Sequence, residues 1–206
     1  MLGMLGIAAA YVLVLRLGFG IIPARIEAIA TVFGIIQMDL FRREKPAAFI
    51  FSILYCAFLA WWFASIGLYG QVAMRGAFIV INLFGIYFWL RPRIVENKEL
   101  EPTWLPNKIR LPIYGAFIVI GSLGAALYGL RASADWLYAL MALTGQVFIS
   151  KKKIDCWVLW LAADTFVGLP LFFIAGSWMY LLLIGFMIIN GFVSIKLWGD
   201  EGRKQK

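Results

Sequence analysis

Histidine is absent from all 206 residues. That removes the commonest metal ligand and the commonest general base. Charge is scarce as well: 15% of the chain is Asp, Glu, Lys or Arg, against about 25% in a soluble domain. Cysteine occurs twice, at Cys56 and Cys156, in separate apolar runs with no metal-type spacing. The pair reads as reduced small hydrophobes and not as a disulfide. There is no nucleotide-binding loop and no nucleophile–base pair. These absences give no support to an enzyme, a resident cofactor or ATP-driven work. Any transport would run down a gradient or be coupled to an ion.

Apolar surface is what the chain has in plenty. It is 63% hydrophobic, with a mean hydropathy of +0.87, where a soluble domain holds about 45–50% apolar residues. A water-soluble core of this size could not bury so much, but a bilayer can. Eight apolar segments stand out: 2–19, 27–41, 46–66, 70–90, 111–130, 134–149, 154–174 and 177–198. Helices are expected, because every backbone polar group in lipid needs an internal partner. Segments 27–41 and 134–149 fall short of the ~20 residues needed to cross, and either start deeper, tilt or pack inside protein. The first segment has no basic leader and no clear cleavage site, so it reads as a retained helix.

The net charge of +8 could suggest nucleic acid, but its distribution points to a membrane. Basic residues gather at Arg42, Arg43 and Lys45, at Arg91, Arg93, Lys98, Lys108 and Arg110, at Lys151 to Lys153, and at Lys196, Arg203, Lys204 and Lys206. If every segment from residue 27 spans, all four clusters fall on one side, which the positive-inside rule makes cytoplasmic. The C-terminus is then cytoplasmic and no nucleic-acid partner is needed.

The chain also repeats itself. Gln37 pairs with Gln146 at an offset of 109, and the same ungapped offset pairs Phe63 with Phe172, Gly76 with Gly185, Ile79 with Ile188 and Trp89 with Trp198. The expected fold is therefore all-α and integral to the membrane. Two parallel three-helix repeats, 27–90 and 134–198, are joined by a linker and linking helix over 91–133. An N-terminal hydrophobic helix (1–26) precedes them and a cytoplasmic tail (199–206) follows. Such repeats belong to transporters that bind a solute between their halves and rock around it.

Few residues can carry recognition chemistry. Trp157, Trp160 and Asp164 are spaced i, i+3 and i+7 and share one helix face. A carboxylate near the middle of a span costs about 2.5–3.5 kcal/mol on insertion scales. Such a group faces either a polar cavity or a bonded neighbour helix, with the tryptophans as site walls or interfacial anchors. Gln146, Asn190 and Asn82 could each read a polar solute or stitch helices together. Arg75 lies one turn into its segment, away from the basic loops. It reads as a residue snorkelling to the outer surface, as a clamp for an anionic solute, or as a partner for Asp164.

Gln146, the run Lys151–Lys153, Trp157, Trp160 and Asp164 resemble the Q…(R/K)KK-x-(E/D)-x-W-x-x-W-x-x-x-D signature of the PnuC-type nicotinamide riboside and B-vitamin transporters. Leu68-Tyr69-Gly70 and the helix ending at Trp89 are similar to that family's first repeat. The resemblance covers 27–198. It implies a SWEET-like fold in a bacterial inner membrane, and facilitated uptake of nicotinamide riboside or, in relatives, of thiamine or riboflavin. It also implies a homo-oligomer, with a trimer suggested. Carried over by position, Gln146, Trp157, Trp160 and Asp164 would form or support the site. Three departures stand out: Pro46-Ala47-Ala48-Phe49 replaces a Trp-rich stretch, Gln71 an acidic residue, and Arg75 a Gln.

Overall fold

The computed structural model describes residues 22–65, 69–95, 100–174 and 178–201. The apolar segment 2–19 lies outside the described residues. Among them the regular structure is helical: α1 (Ile22–Arg42), α2 (Ala47–Ser65), α3 (Tyr69–Val95), α4 (Asn107–Tyr128), α5 (Leu130–Ser150) and α6 (Asp155–Ala162). A π-helical turn (Ala163–Gly168) follows, then α7 (Leu169–Ile174) and α8 (Trp178–Glu201). Four stretches are long and apolar enough to cross a bilayer: Ala47–Ser65, Val72–Arg91, Asn107–Tyr128 and Leu181–Asp200. The chain is a multi-pass membrane protein.

The two short apolar runs are parts of longer helices. α1 begins at Ile22 and α5 at Leu130. Arg25, Glu27, Arg131 and Asp135 interrupt the apolar pattern there but leave the backbone ladder intact, because that ladder needs N–H and C=O groups and not apolar side chains.

Two compact units divide within α3, at Ile86 and Tyr87. In the first, α1 packs on α2 through aromatic rings. Phe33 stacks on Phe58 at 5.5 Å between centroids, and Phe41 meets Phe49 edge-on at 4.9 Å. The buried face of α2 is Ala48, Phe49, Ser52, Cys56, Leu59 and Phe63, a stripe at helical spacing.

In the second unit a single residue, Gly129, joins α4 to α5. Its φ of 82° suits glycine. No residue of α4 is buried. The polar connector is fastened down: Thr103 N–H donates to Lys152 O and Ile154 N–H donates to Thr103 O. Lys153 Nζ donates to Thr103 Oγ1 at 2.6 Å, and Lys152 Nζ donates to Leu100 O. Buried Asp155 accepts from Leu105 N–H at 2.7 Å and from Tyr114 O–H at 2.9 Å.

One turn occurs twice. Glu44 and Lys152 both take positive φ, 56° and 54°. Around Glu44, backbone N–H groups donate from Glu44 to Phe41, Lys45 to Leu40, Ala48 to Lys45 and Phe49 to Pro46. Around Lys152 they donate from Lys152 to Ile149, Lys153 to Phe148, Cys156 to Lys153 and Trp157 to Ile154. Each bond recurs 108 positions later (Glu44 to Lys152), one fewer than the offset of the sequence identities.

The π-turn explains where the difference goes. Leu169 N–H donates to Asp164 O, five residues back. Pro170 follows at once. In a regular helix its ring would press on the carbonyl of Phe166, and a wider turn relieves that clash. α2 contains no proline and no such turn.

Candidate functional site

Five of the seven sequence-derived residues fall in the second unit: Gln146 on α5, Trp157 and Trp160 on α6, Asp164 in the π-turn and Asn190 on α8. All five are buried. The centre of chemical interest is Asp164, 2% exposed. Its Oδ1 accepts a 3.0 Å hydrogen bond from the Tyr138 phenol on α5. Its Oδ2 is buried with no hydrogen-bond partner. A desolvated carboxylate oxygen left unbonded is costly, of order 1–3 kcal/mol or more for a charged group. It is therefore an acceptor whose energy falls when a donor arrives.

The indoles form a row. Trp157 meets Trp160 edge-on at 5.5 Å and Trp198 edge-on at 5.5 Å, and Trp198 lies 6.3 Å from Trp89. Trp160 Nε1 donates to Ala142 O at 3.2 Å, and Trp89 Nε1 donates to Ile149 O at 3.1 Å. Trp157 is 1% exposed and its Nε1 has no hydrogen-bond partner. Trp160 is enclosed as well, at 5% exposed, and the two rings stand edge to face. Asn190 lies one turn before Ser194, whose hydroxyl donates to Asn190 O at 2.6 Å.

The other two candidates belong to the first unit. Asn82 Nδ2 donates to Ser52 Oγ at 2.8 Å, a bond that ties α3 to α2. Arg75 does not snorkel. It is 8% exposed, and its guanidinium carbon lies 5.5 Å from the Tyr55 ring, 5.6 Å from Phe63 and 5.7 Å from Phe78. Three ring faces hold the cation where a bare apolar wall would expel it. Tyr69, at the start of α3, is exposed. Trp178, 109 positions after Tyr69, opens α8, and its side chain lies outside the described residues.

Sequence reasoning overlooked Tyr138 and the bonds of Asp155. Tyr138 sits eight residues before Gln146 on the same helix face, so helical spacing could have found it. Asp155 stood in the motif, but its partners Leu105 in the connector and Tyr114 on α4 lie 50 and 41 positions away, and no spacing in the sequence pairs them with it. Among the described residues no cluster of three His, Cys, Asp or Glu could hold a metal.

Known proteins place this geometry. The nicotinamide riboside transporter PnuC of Escherichia coli (strain K12) is 21% identical over 212 residues, covering 87% of each chain. Its counterpart in Shigella flexneri matches to the same extent. The crystal structure of the vitamin B3 transporter PnuC superposes with a TM-score of 0.77 at 14% identity, covering 99% of this chain and 91% of that one. The fold is thus that of a PnuC transporter. The family model described as nicotinamide mononucleotide transporter matches residues 24–200, and the chain belongs to that family.

Proposed function

We propose that this protein takes up nicotinamide riboside, or a closely related vitamin or nucleoside, by facilitated diffusion across a bacterial inner membrane. The observation that carries the reading is Asp164: buried, oriented by Tyr138 through one oxygen and unbonded at the other, in a chain of this family. The pyridinium ring of nicotinamide riboside is a flat cation and its ribose carries hydroxyl donors. Asp164 suits either charge or hydroxyl, Trp160 backed by Trp157 suits the ring, and Gln146 and Asn190 suit the ribose. A polyphosphate would need several cationic groups, which argues against intact dinucleotides.

The architecture that goes with this reading is three helices, a linking helix and three helices again, SWEET-like, over 27–90, 91–133 and 134–198. The basic loops and the C-terminus face the cytoplasm, and the protein is a homo-oligomer. Thiamine or riboflavin would suit the same fold. A second reading, a non-transporting membrane subunit, draws on the Asn82–Ser52 bond and the enclosed Trp157, both of which serve helix packing.

Tryptophan-fluorescence titration of the purified protein with nicotinamide riboside, thiamine and riboflavin tests this. Saturable binding of nicotinamide riboside that is lost in Trp160→Ala supports the reading. Saturable binding of thiamine or riboflavin alone replaces the solute. No binding by folded protein overturns it in favour of the subunit.

A further inference from the structure

The buried faces give a second, independent measure of register. α2 buries Ala48, Phe49, Ser52 and Cys56, and the second unit buries Cys156, Trp157, Trp160 and Asp164, each 108 positions later. The next buried position of α2 is Leu59, and its counterpart is Gly168, 109 positions later. Farther on, α3 buries Arg75, Asn82, Gly85 and Trp89, and α8 buries Ile184, Gly191, Ser194 and Trp198, again at 109. Phe78 on α3 is unmatched, its counterpart Met187 being half-buried, and α8 in turn buries Leu183, Asn190 and Gly199 against half-buried Met74, Ile81 and Leu90.

The switch falls inside the π-turn. α2 spends two residues, Ala57 and Phe58, between Cys56 and Leu59, whereas the π-turn spends three, Thr165, Phe166 and Val167. The bond from Leu169 N–H to Asp164 O is how a helix absorbs one extra residue without breaking. In a regular helix one residue turns the chain by about 100°. Without the wider turn, either Asp164 or the face beyond it would leave the interior. That face packs closely: a Cβ on Gly168 would stand 2.8 Å from the Tyr138 ring and 3.2 Å from Ile184.

We propose that this added residue determines solute specificity by position: it keeps Asp164 on the buried face as an acceptor while Gly168 and α8 retain their packing. The proposal rests on the reading that Asp164 meets the solute. Its counterpart Cys56, next to Arg75, sits on an unbroken helix. The first unit therefore buries a cation beside Cys56 and the second buries a carboxylate at the position corresponding to Cys56, and a cationic solute suits the acidic position.

A shifted variant of the full chain tests this: Val167 is deleted and one alanine is inserted between Ala162 and Ala163. Length and the register of 168–198 are kept, and only the residues around Asp164 rotate. Affinity for nicotinamide riboside should fall about tenfold or more, the loss of one charge-assisted bond. Preference for nicotinamide riboside over the uncharged nucleoside inosine should fall with it, which a merely structural role would not produce. Unchanged affinity and preference in the folded variant would overturn the proposal. Should the variant fail to fold, hydrogen exchange on the wild-type protein decides. Saturating nicotinamide riboside should slow the amides of Phe166–Gly168, and unaltered exchange there with bound solute overturns the proposal. Wild-type protein that binds no nicotinamide riboside overturns the transport reading itself, a distinct outcome.

Discussion

Gly145 on α5 lies directly against the Trp160 indole: a Cβ there would overlap Nε1 and stand 2.7 Å from Cδ1. The missing side chain is what lets Trp160 lie flat enough to donate to Ala142 O. Gly145→Ala should push the ring out of place and lower stability by about 1–3 kcal/mol, the usual cost of overpacking. A thermal melt in detergent checks this. A melting temperature equal to wild type would mean that the ring has room to move.

Asp164 separates function from packing. Asp164→Asn keeps the shape and an acceptor for Tyr138 but removes the charge. Binding of nicotinamide riboside should weaken about tenfold or more, while the melting temperature holds or rises, because a costly buried carboxylate is gone. A fall in melting temperature with unaltered binding would assign Asp164 to structure.

Tyr138→Phe removes the donor to Asp164 Oδ1, so that neither carboxylate oxygen is bonded. Affinity should drop about three- to tenfold, in line with loss of one hydrogen bond to a charged group, with little change in fold. Isothermal titration beside Asp164→Asn and the double variant tests the link. If the two effects add fully, Tyr138 does not act through Asp164.

Asp155 holds the connector. Asp155→Ala strips acceptors from the half-buried donors Leu105 N–H and Tyr114 O–H, at a cost below the about 1–3 kcal/mol of a fully buried donor left unpaired. The stretch around Leu100–Pro106 should become protease-sensitive. Resistance equal to wild type would show that the Thr103 bonds suffice.

Arg75 should tolerate a long apolar replacement better than truncation. Arg75→Met keeps contact with the Tyr55, Phe63 and Phe78 rings and removes a buried charge, so it should be near neutral. Arg75→Ala leaves a hole and should cost about 2–4 kcal/mol, by analogy with large-to-small core changes. Equal melting temperatures for the two would place the guanidinium outside the packing.

Apolar runs in the sequence mark each helix among the described residues, because a bilayer rewards the same residues that make a run visible. Helix starts at Ile22 and Leu130 escaped, since charged residues mask a backbone that continues through them. Asp164 was legible as an expensive group in an apolar stretch. The fate of Arg75 was not, because its three rings come from α2 and α3 and converge only in space. The π-turn hid behind the repeat itself. Gln37 aligns with Gln146 by identity, yet the turn bonds align Gln37 with Gly145. Neighbouring buried positions, Gln37 and Met38 against Gly145 and Gln146, let an ungapped match slide by one without exposing a polar group.

The clasp at Thr103 and Asp155 has a mechanical corollary. Because Leu105 and Tyr114 both hold the first residue of α6, any tilt of α6 must carry the start of α4 with it. The connector then works as a rivet and not as slack cord: α4 and α6 travel as one lever, and the distance between labels placed on them should stay constant while the protein turns over.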